Sequence, residues 1–285
     1  MRRWLPVLLL CASLAGAQPA ELEQAQKLFA RADYRAVIAT LAPFAKQSNP
    51  AVHELIGKSH FILGDYKKSA ESFERAVAAQ PDSSVLHHWL GKAYGRRAET
   101  SNMLLAPGLA SKARQSFEKA VALDGKNIEA INDLFSYYLE APGFLGGGLD
   151  KAAELAKRIE AIDPVEYHYA LAQLAERRKE FKTAEMHFRR AADLAPRQVG
   201  RIIDLAKFLS RTGQHQESET IFAQAEKVAP NEPRLLFERA NNYIRAKKNL
   251  DQARLLLERY LKSPLTPDDP PRAEAERLLK QAAGT

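Results

Sequence analysis

With 285 residues, 46% of them hydrophobic and 27% charged, the chain carries enough apolar surface for a substantial core. The formal charge of +7 is spread among interleaved acids and bases (Glu71, Glu74, Arg75; Glu217, Glu219, Lys227), the pattern of a solvated helix surface and not of a nucleic-acid-binding arm. Cys11 is the single cysteine, which excludes an intrachain disulfide.

Residues 1–17 read as a secretory signal peptide. Arg2 and Arg3 precede an apolar run from Trp4 to Leu14, and Ala15-Gly16-Ala17 supplies small residues for cleavage after Ala17. The run is too short to cross a bilayer, which needs about 20 apolar residues. Cleavage would remove Cys11 and two of the 42 basic side chains, leaving a basic chain without a thiol in the periplasm or secreted.

A first helical pair is expected from about Ala20 to Gln47, with Leu22, Ala25, Leu28 and Phe29 on one helix and Val37, Leu41 and Phe44 on the next; Pro43 should shorten the second. The second pair, Pro50 to Ser83, is the clearest. Gly57 is followed by Ser69, Phe73, Ala76 and the stop Pro81, so that small and aromatic residues alternate on one helix face. Small residues admit a close neighbour and the ring fills the adjoining space. The pattern returns at Gly91, Ala113, Phe117 and Ala120; more weakly at Leu134, Ala152, Ala156 and Pro164; at Ala172, Ala184, Phe188, Ala191 and Pro196; and at Ala206, Ser218, Phe222, Ala225 and Pro230. A seventh pair keeps Ala253, Leu257 and Tyr260. After the proline-rich break around Pro267 to Pro271, Arg272 to Ala283 reads as an amphipathic helix that caps the end.

These in-phase copies, at intervals near 34 residues, resemble the tetratricopeptide repeat over roughly residues 20 to 264. The resemblance implies an all-α, right-handed superhelical solenoid of antiparallel helix pairs over 18–266, closed by a proline-rich break and capping helix over 267–285. It also implies a non-enzymatic scaffold that holds a partner polypeptide, here another envelope or secreted protein, in a concave groove lined by the first helix of each pair. Carried onto this sequence, the groove row includes Glu54, Lys58, His88, Lys92, Asn132, Ser136, Tyr169, Gln173, Glu176, Ile203, Lys207, Glu238, Asn242 and Arg245, with Trp89 beside it. The family's two-carboxylate clamp is not reproduced by Lys58, His88-Lys92, Asn132-Asp133 and Tyr169, so an acidic C-terminal tail is not the expected ligand.

Two places break the period. Gly91 and Ala113 stand 22 residues apart where Gly57 and Ser69 stand 12 apart, the excess lying in 97–108 with Pro107 and Gly108. Phe135 and Ala152 stand 17 apart, the excess being 141–148 with Pro142, Gly143, Gly146, Gly147 and Gly148. Both are expected as loops from one edge of the solenoid, either packing Met103, Leu104, Leu105, Phe144 and Leu145 into a satellite core or contacting a ligand. A small-molecule or glycan site near these loops, flanked by Trp89, Tyr94, Tyr137 and Tyr138, is the alternative function. The glycine run lacks the Walker spacing, since Ala152 follows Lys151, and Asp150 would repel an anion at the helix start. The seven histidines include no HExxH; His168 and His187 could meet across one hairpin. No catalytic constellation, metal or cofactor is expected.

Overall fold

The computed structural model describes residues 18–266 and 269–283, and the expected signal peptide lies outside them. Among the described residues the chain is helical, without strands. It divides into two compact units, Met1–Ala130 and Ile131–Thr285.

The first unit holds α1 (Gln18–Ala30), α2 (Tyr34–Leu41), α3 (Pro50–Ile62), α4 (Tyr66–Ala79), α5 (Ser84–Thr100) and α6 (Ala106–Leu123). Helix starts follow local chemistry. Pro50 occupies the first turn of α3 while the Asn49 side chain accepts from the backbone N–H of Ala51 and Val52, and Asp65 does the same for Lys68 at the start of α4. Pro43 ends α2 early, in a single 3-10 turn over Ala42–Phe44. Within hairpins the turn passes through the left-handed region, at Ala32 between α1 and α2 and at Gly64 between α3 and α4.

The small–aromatic spacing becomes a physical contact here. A Cβ on Gly57 would lie 2.8 Å from the Phe73 ring, and one on Gly91 would lie 2.5 Å from the Phe117 ring. Helix pairs therefore touch where the first helix has no side chain. Ser69 uses the same close approach: its hydroxyl donates to the Gly57 carbonyl at 2.9 Å in a buried setting.

The second unit begins within α7 (Ile128–Glu140) and continues with α8 (Leu149–Glu160), α9 (Pro164–Arg177), α10 (Phe181–Leu194), α11 (Val199–Arg211), α12 (His215–Val228), α13 (Pro233–Arg245), α14 (Leu250–Lys262) and α15 (Arg272–Ala283). Ala172, Ala184, Phe188, Ala206, Phe208 and Phe222 share one buried cluster, with the Phe188 and Phe208 rings 4.9 Å apart. Ser218 repeats the serine contact, donating to the Ala206 carbonyl at 2.7 Å. The hairpin turns again use left-handed residues, Lys179, Gly213 and Lys247. Buried Ala275, Leu278 and Ala282 pack α15 against Leu256, Leu257 and Tyr260 of α14, covering the last hairpin. Within each unit, consecutive antiparallel hairpins stack side by side in sequence order, the packing of a helical-repeat solenoid.

Of the two irregular segments, 97–108 differs from the expected loop. Arg97 to Thr100 extend α5, and Pro107 and Gly108 lie in the first turn of α6, so only 101–105 are non-helical. Proline at the start of a helix is compatible with it, which is why Ala-Pro-Gly here opens a helix instead of a loop. The large apolar side chains of the two segments are not buried: Met103 and Leu104 are each 92% exposed and Phe144 is 84% exposed. The 141–148 segment is a tight connection containing a 3-10 turn, Gly143–Leu145. Gly147 is obligatory, because a Cβ there would lie 1.8 Å from the Ala141 carbonyl oxygen, and Gly146 sits at φ +88°.

Candidate functional site

The first helices of the hairpins present their partly exposed faces as rows. In the first unit, Trp89 of α5 stacks on Phe73 at 5.8 Å and meets Phe61 of α3 edge-on at 5.6 Å. Lys92 Nζ stands 4.5 Å and Lys58 Nζ 5.1 Å from its ring centre, within cation–π range. Lys58 also binds Glu54 at 2.6 Å. Trp89, Lys58 and Lys92 thus form one half-buried aromatic–cationic surface.

His88 does not belong to that surface. It is 2% exposed and shares the inward stripe of α5 with Ser84, Gly91 and Tyr94. Its ring lies 6.0 Å from Phe117, and its Nδ1 is 3.8 Å from Glu129. Ile203 likewise is wholly buried. The fifth place of the first helix faces the neighbouring helices in these two pairs, which removes both residues from the expected groove.

In the second unit Asn132, Tyr169, Gln173, Lys207 and Asn242 are all half-buried, and charges link successive first helices. Asn132 of α7 donates to Glu166 of α9 at 3.0 Å. Arg201 of α11 pairs with the same Glu166 and, at 2.8 Å, with Asp204 on its own helix. Arg234 of α13 reaches Asp204 at 3.2 Å. The Arg201 guanidinium lies 3.7 Å above the Tyr169 ring. Burial opposes the Arg201 charge, but Asp204 and Glu166 outweigh it and its pKa is raised; burial, with Asp204 nearby, pushes the Tyr169 phenol up to about 12. Arg211 grips Glu176 of α9 through two bonds of 2.9 Å, and Lys207 binds Glu238 of α13 at 2.6 Å.

Lys207 and Asn242 come together in an open pocket of about 280 Å³ between α11 and α13, with Arg211, Glu238, Asn241 and Arg245. Its three basic groups outnumber the single carboxylate, and Arg245 is exposed. Arg201, Asp204, Glu166 and Arg234 were missed in the sequence as members of this row. The signal was available: Glu166 and Arg201, and Glu176 and Arg211, are opposite charges 35 residues apart.

The tyrosines flanking the irregular segments are engaged internally. Tyr94 donates to Glu74, and the Tyr137 hydroxyl donates to the Leu145 carbonyl at 2.8 Å. Lys151 donates to the Gly146 carbonyl at 2.9 Å and lies over Tyr138, so the glycine run serves a tight turn. Pro142 and Gly143 are exposed at its start. His168 and His187 do meet, Nδ1 to Nδ1 at 3.0 Å with rings 5.2 Å apart. Among the described residues no three His, Cys, Asp or Glu side chains are grouped to hold a metal ion, and no helix is long and apolar enough to cross a membrane.

Stacked antiparallel hairpins, closed by a small–aromatic contact and presenting polar rows from their first helices, define a helical-repeat protein. Residues 22–84, from α1 through α4, match the tetratricopeptide repeat family, and the other hairpins share its fold. A tetratricopeptide repeat protein from Parabacteroides merdae superimposes with a TM-score of 0.66 at 13% identity, over 93% of this chain and 98% of that one. A thermophilic repeat protein of Thermus thermophilus gives 0.53 at 19% identity over 67% and 98%, and the C-terminal part of a repeat protein from Cytophaga hutchinsonii gives 0.51 at 17% over 90% and 99%. No curated protein sequence matches the chain.

Proposed function

We propose that this protein is an exported, non-enzymatic scaffold that holds a polypeptide partner against the first-helix rows of its hairpins. The observation that carries the reading is the open pocket between α11 and α13, lined by Lys207, Asn241, Asn242 and Arg245. Amide side chains beside cations suit the carbonyls and acidic side chains of a bound segment. In the first unit the half-buried Trp89 under Lys58 and Lys92 offers an aromatic anchor of the kind that dominates recognition surfaces. Export rests on the charged, apolar and small-residue order of residues 1–17.

A photo-crosslinking residue placed at Asn241, on the same pocket, is expected to trap one envelope or secreted protein in the producing cell. Asn242→Ala combined with Arg245→Ala should abolish capture at an unchanged melting temperature. Capture that survives the double substitution refutes the pocket as the contact. Mass spectrometry of the processed protein should find Gln18 at its N-terminus; an intact Met1 refutes the export reading.

A further inference from the structure

The connection between α5 and α6 departs from the other hairpin turns of its unit. α5 has 17 residues where α3 has 13, and α6 has 18 where α4 has 14. Each arm is therefore about one turn, roughly 6 Å, longer. The lengthened hairpin ends in apolar side chains: Met103 and Leu104 are each 92% exposed and Leu105 is 56% exposed. Three consecutive large apolar residues in water are costly, and nothing in the fold of the unit requires them.

The tip is also well bonded. The Asn102 side chain accepts from the N–H of Leu104 and of Leu105, each at 3.1 Å, and its carbonyl accepts from the N–H of Leu105 and Ala106. The turn thus satisfies the N–H groups of Leu104, Leu105 and Ala106, and the side chains outside it are the apolar ones. Set back from the tip is a cationic collar. Arg96 is paired with Glu99, while Lys112 Nζ lies 5.2 Å over the Tyr94 ring and Arg97 acts on the same tyrosine. Arg97 and Lys112 stand there against one carboxylate, Glu74, which accepts from the Tyr94 hydroxyl, and along their helices they lie roughly 6–9 Å behind the tip.

We propose that this tip docks on the surface of an anionic lipid bilayer. A convex, self-bonded turn that leads with Met103, Leu104 and Leu105 and carries cations one to two turns behind fits a layered target. Its apolar interior begins at that depth behind a plane of phosphates. The basic balance of the processed chain, 42 − 2 = 40 Lys and Arg against 35 Asp and Glu, or +5, acts in the same direction.

The test is vesicle flotation with the full chain as its host leaves it. Binding to phosphatidylglycerol-containing vesicles and weaker binding to pure phosphatidylcholine are expected. Met103→Asp with Leu104→Asp should lower the bound fraction by about tenfold or more, with melting unchanged because both side chains are exposed. Arg97→Gln with Lys112→Gln should lower binding to the anionic vesicles by about tenfold and leave the phosphatidylcholine level unchanged. In a Leu104→Trp variant the tryptophan emission should shift to the blue on anionic vesicles. Absence of flotation, flotation undiminished by the aspartate pair, or flotation without the emission shift overturns the proposal. So does loss of a captured protein partner in the aspartate variant with vesicle binding unaffected.

Discussion

Two glycines on one helix provide an internally controlled test of the packing. Gly91 and Gly95 both lie within α5, so replacing either with alanine yields the same gain in helix propensity, about 1 kcal/mol. Their surroundings differ. A Cβ on Gly95 meets nothing within 4 Å, whereas one on Gly91 lies 2.5 Å from two atoms of the Phe117 ring, which is itself 6% exposed and hemmed in. The ring must shift as a body or the helices must separate, an overpacking cost of about 1–3 kcal/mol. With the ring caught side-on, the upper part of that range applies. Gly95→Ala should therefore stabilise by about 1 kcal/mol and Gly91→Ala destabilise by about 1–2 kcal/mol. In a chain lacking residues 1–17 Trp89 is the only tryptophan, so urea unfolding followed by its fluorescence reports on this helix. If Gly91→Ala proves as stable as Gly95→Ala, close approach of α5 and α6 is not what the glycine provides.

Phe188→Ala, which empties a buried position between Ala172 and Phe208, should cost about 3–5 kcal/mol in urea unfolding; a cost below about 1 kcal/mol contradicts the phase of the fifth hairpin. Arg201→Met leaves Glu166 and Asp204 without their shared cation and should cost about 3 kcal/mol, with partial recovery on adding Glu166→Gln. Burial lowers the pKa of both His168 and His187, helped by Arg190 at the first and by His168 at the second. The unfolded state then takes up protons first, so the stability from this pair is present above the ordinary pKa near 6.5 and is lost as pH falls through the lowered values. The melting temperature should drop between pH 7.5 and pH 5, and His187→Asn should make that drop smaller; an unchanged pH profile refutes the contact.

The repeat was legible because its signal is steric. A small residue followed twelve places later by another and sixteen places later by a ring can be recognised without knowing the fold; the contact of Gly57 with Phe73 is that signal in space, and Gly91 keeps the same contact with Phe117 across the ten extra residues of its hairpin. The helix stops at Pro43 and Pro81 were legible for the same reason. The 97–108 segment was misread because Ala-Pro-Gly signals both a loop and a helix start, whereas 141–148 does lie between two helices, α7 and α8. What decided the outcome at 97–108 was the run Arg97 to Thr100, which continues α5, and the Asn102 turn, which lets α6 begin with Pro107 in its first turn. His88 and Ile203 were misplaced because a family-wide position was applied without asking which face the neighbouring residues already filled.

The charges on the second unit's first helices bear on where recognition can occur. Arg201, Asp204, Glu166, Arg234, Arg211, Glu176, Lys207 and Glu238 are joined across helices one hairpin apart. A partner that engaged any of them would first have to separate an existing half-buried pair, and removing one member would leave the other partly desolvated and unopposed. Lys207→Glu, the obvious charge reversal, would set two carboxylates against each other at Glu238 and weaken the packing of α11 on α13 whether or not anything binds there. Asn241, Asn242 and Arg245 border the same pocket, and no such cross-helix ion pair has to be broken to reach them. Substituting them alters what the pocket can hold while leaving those pairs intact. A loss of capture there reports on recognition, whereas a loss on Lys207→Glu alone reports on the scaffold as well.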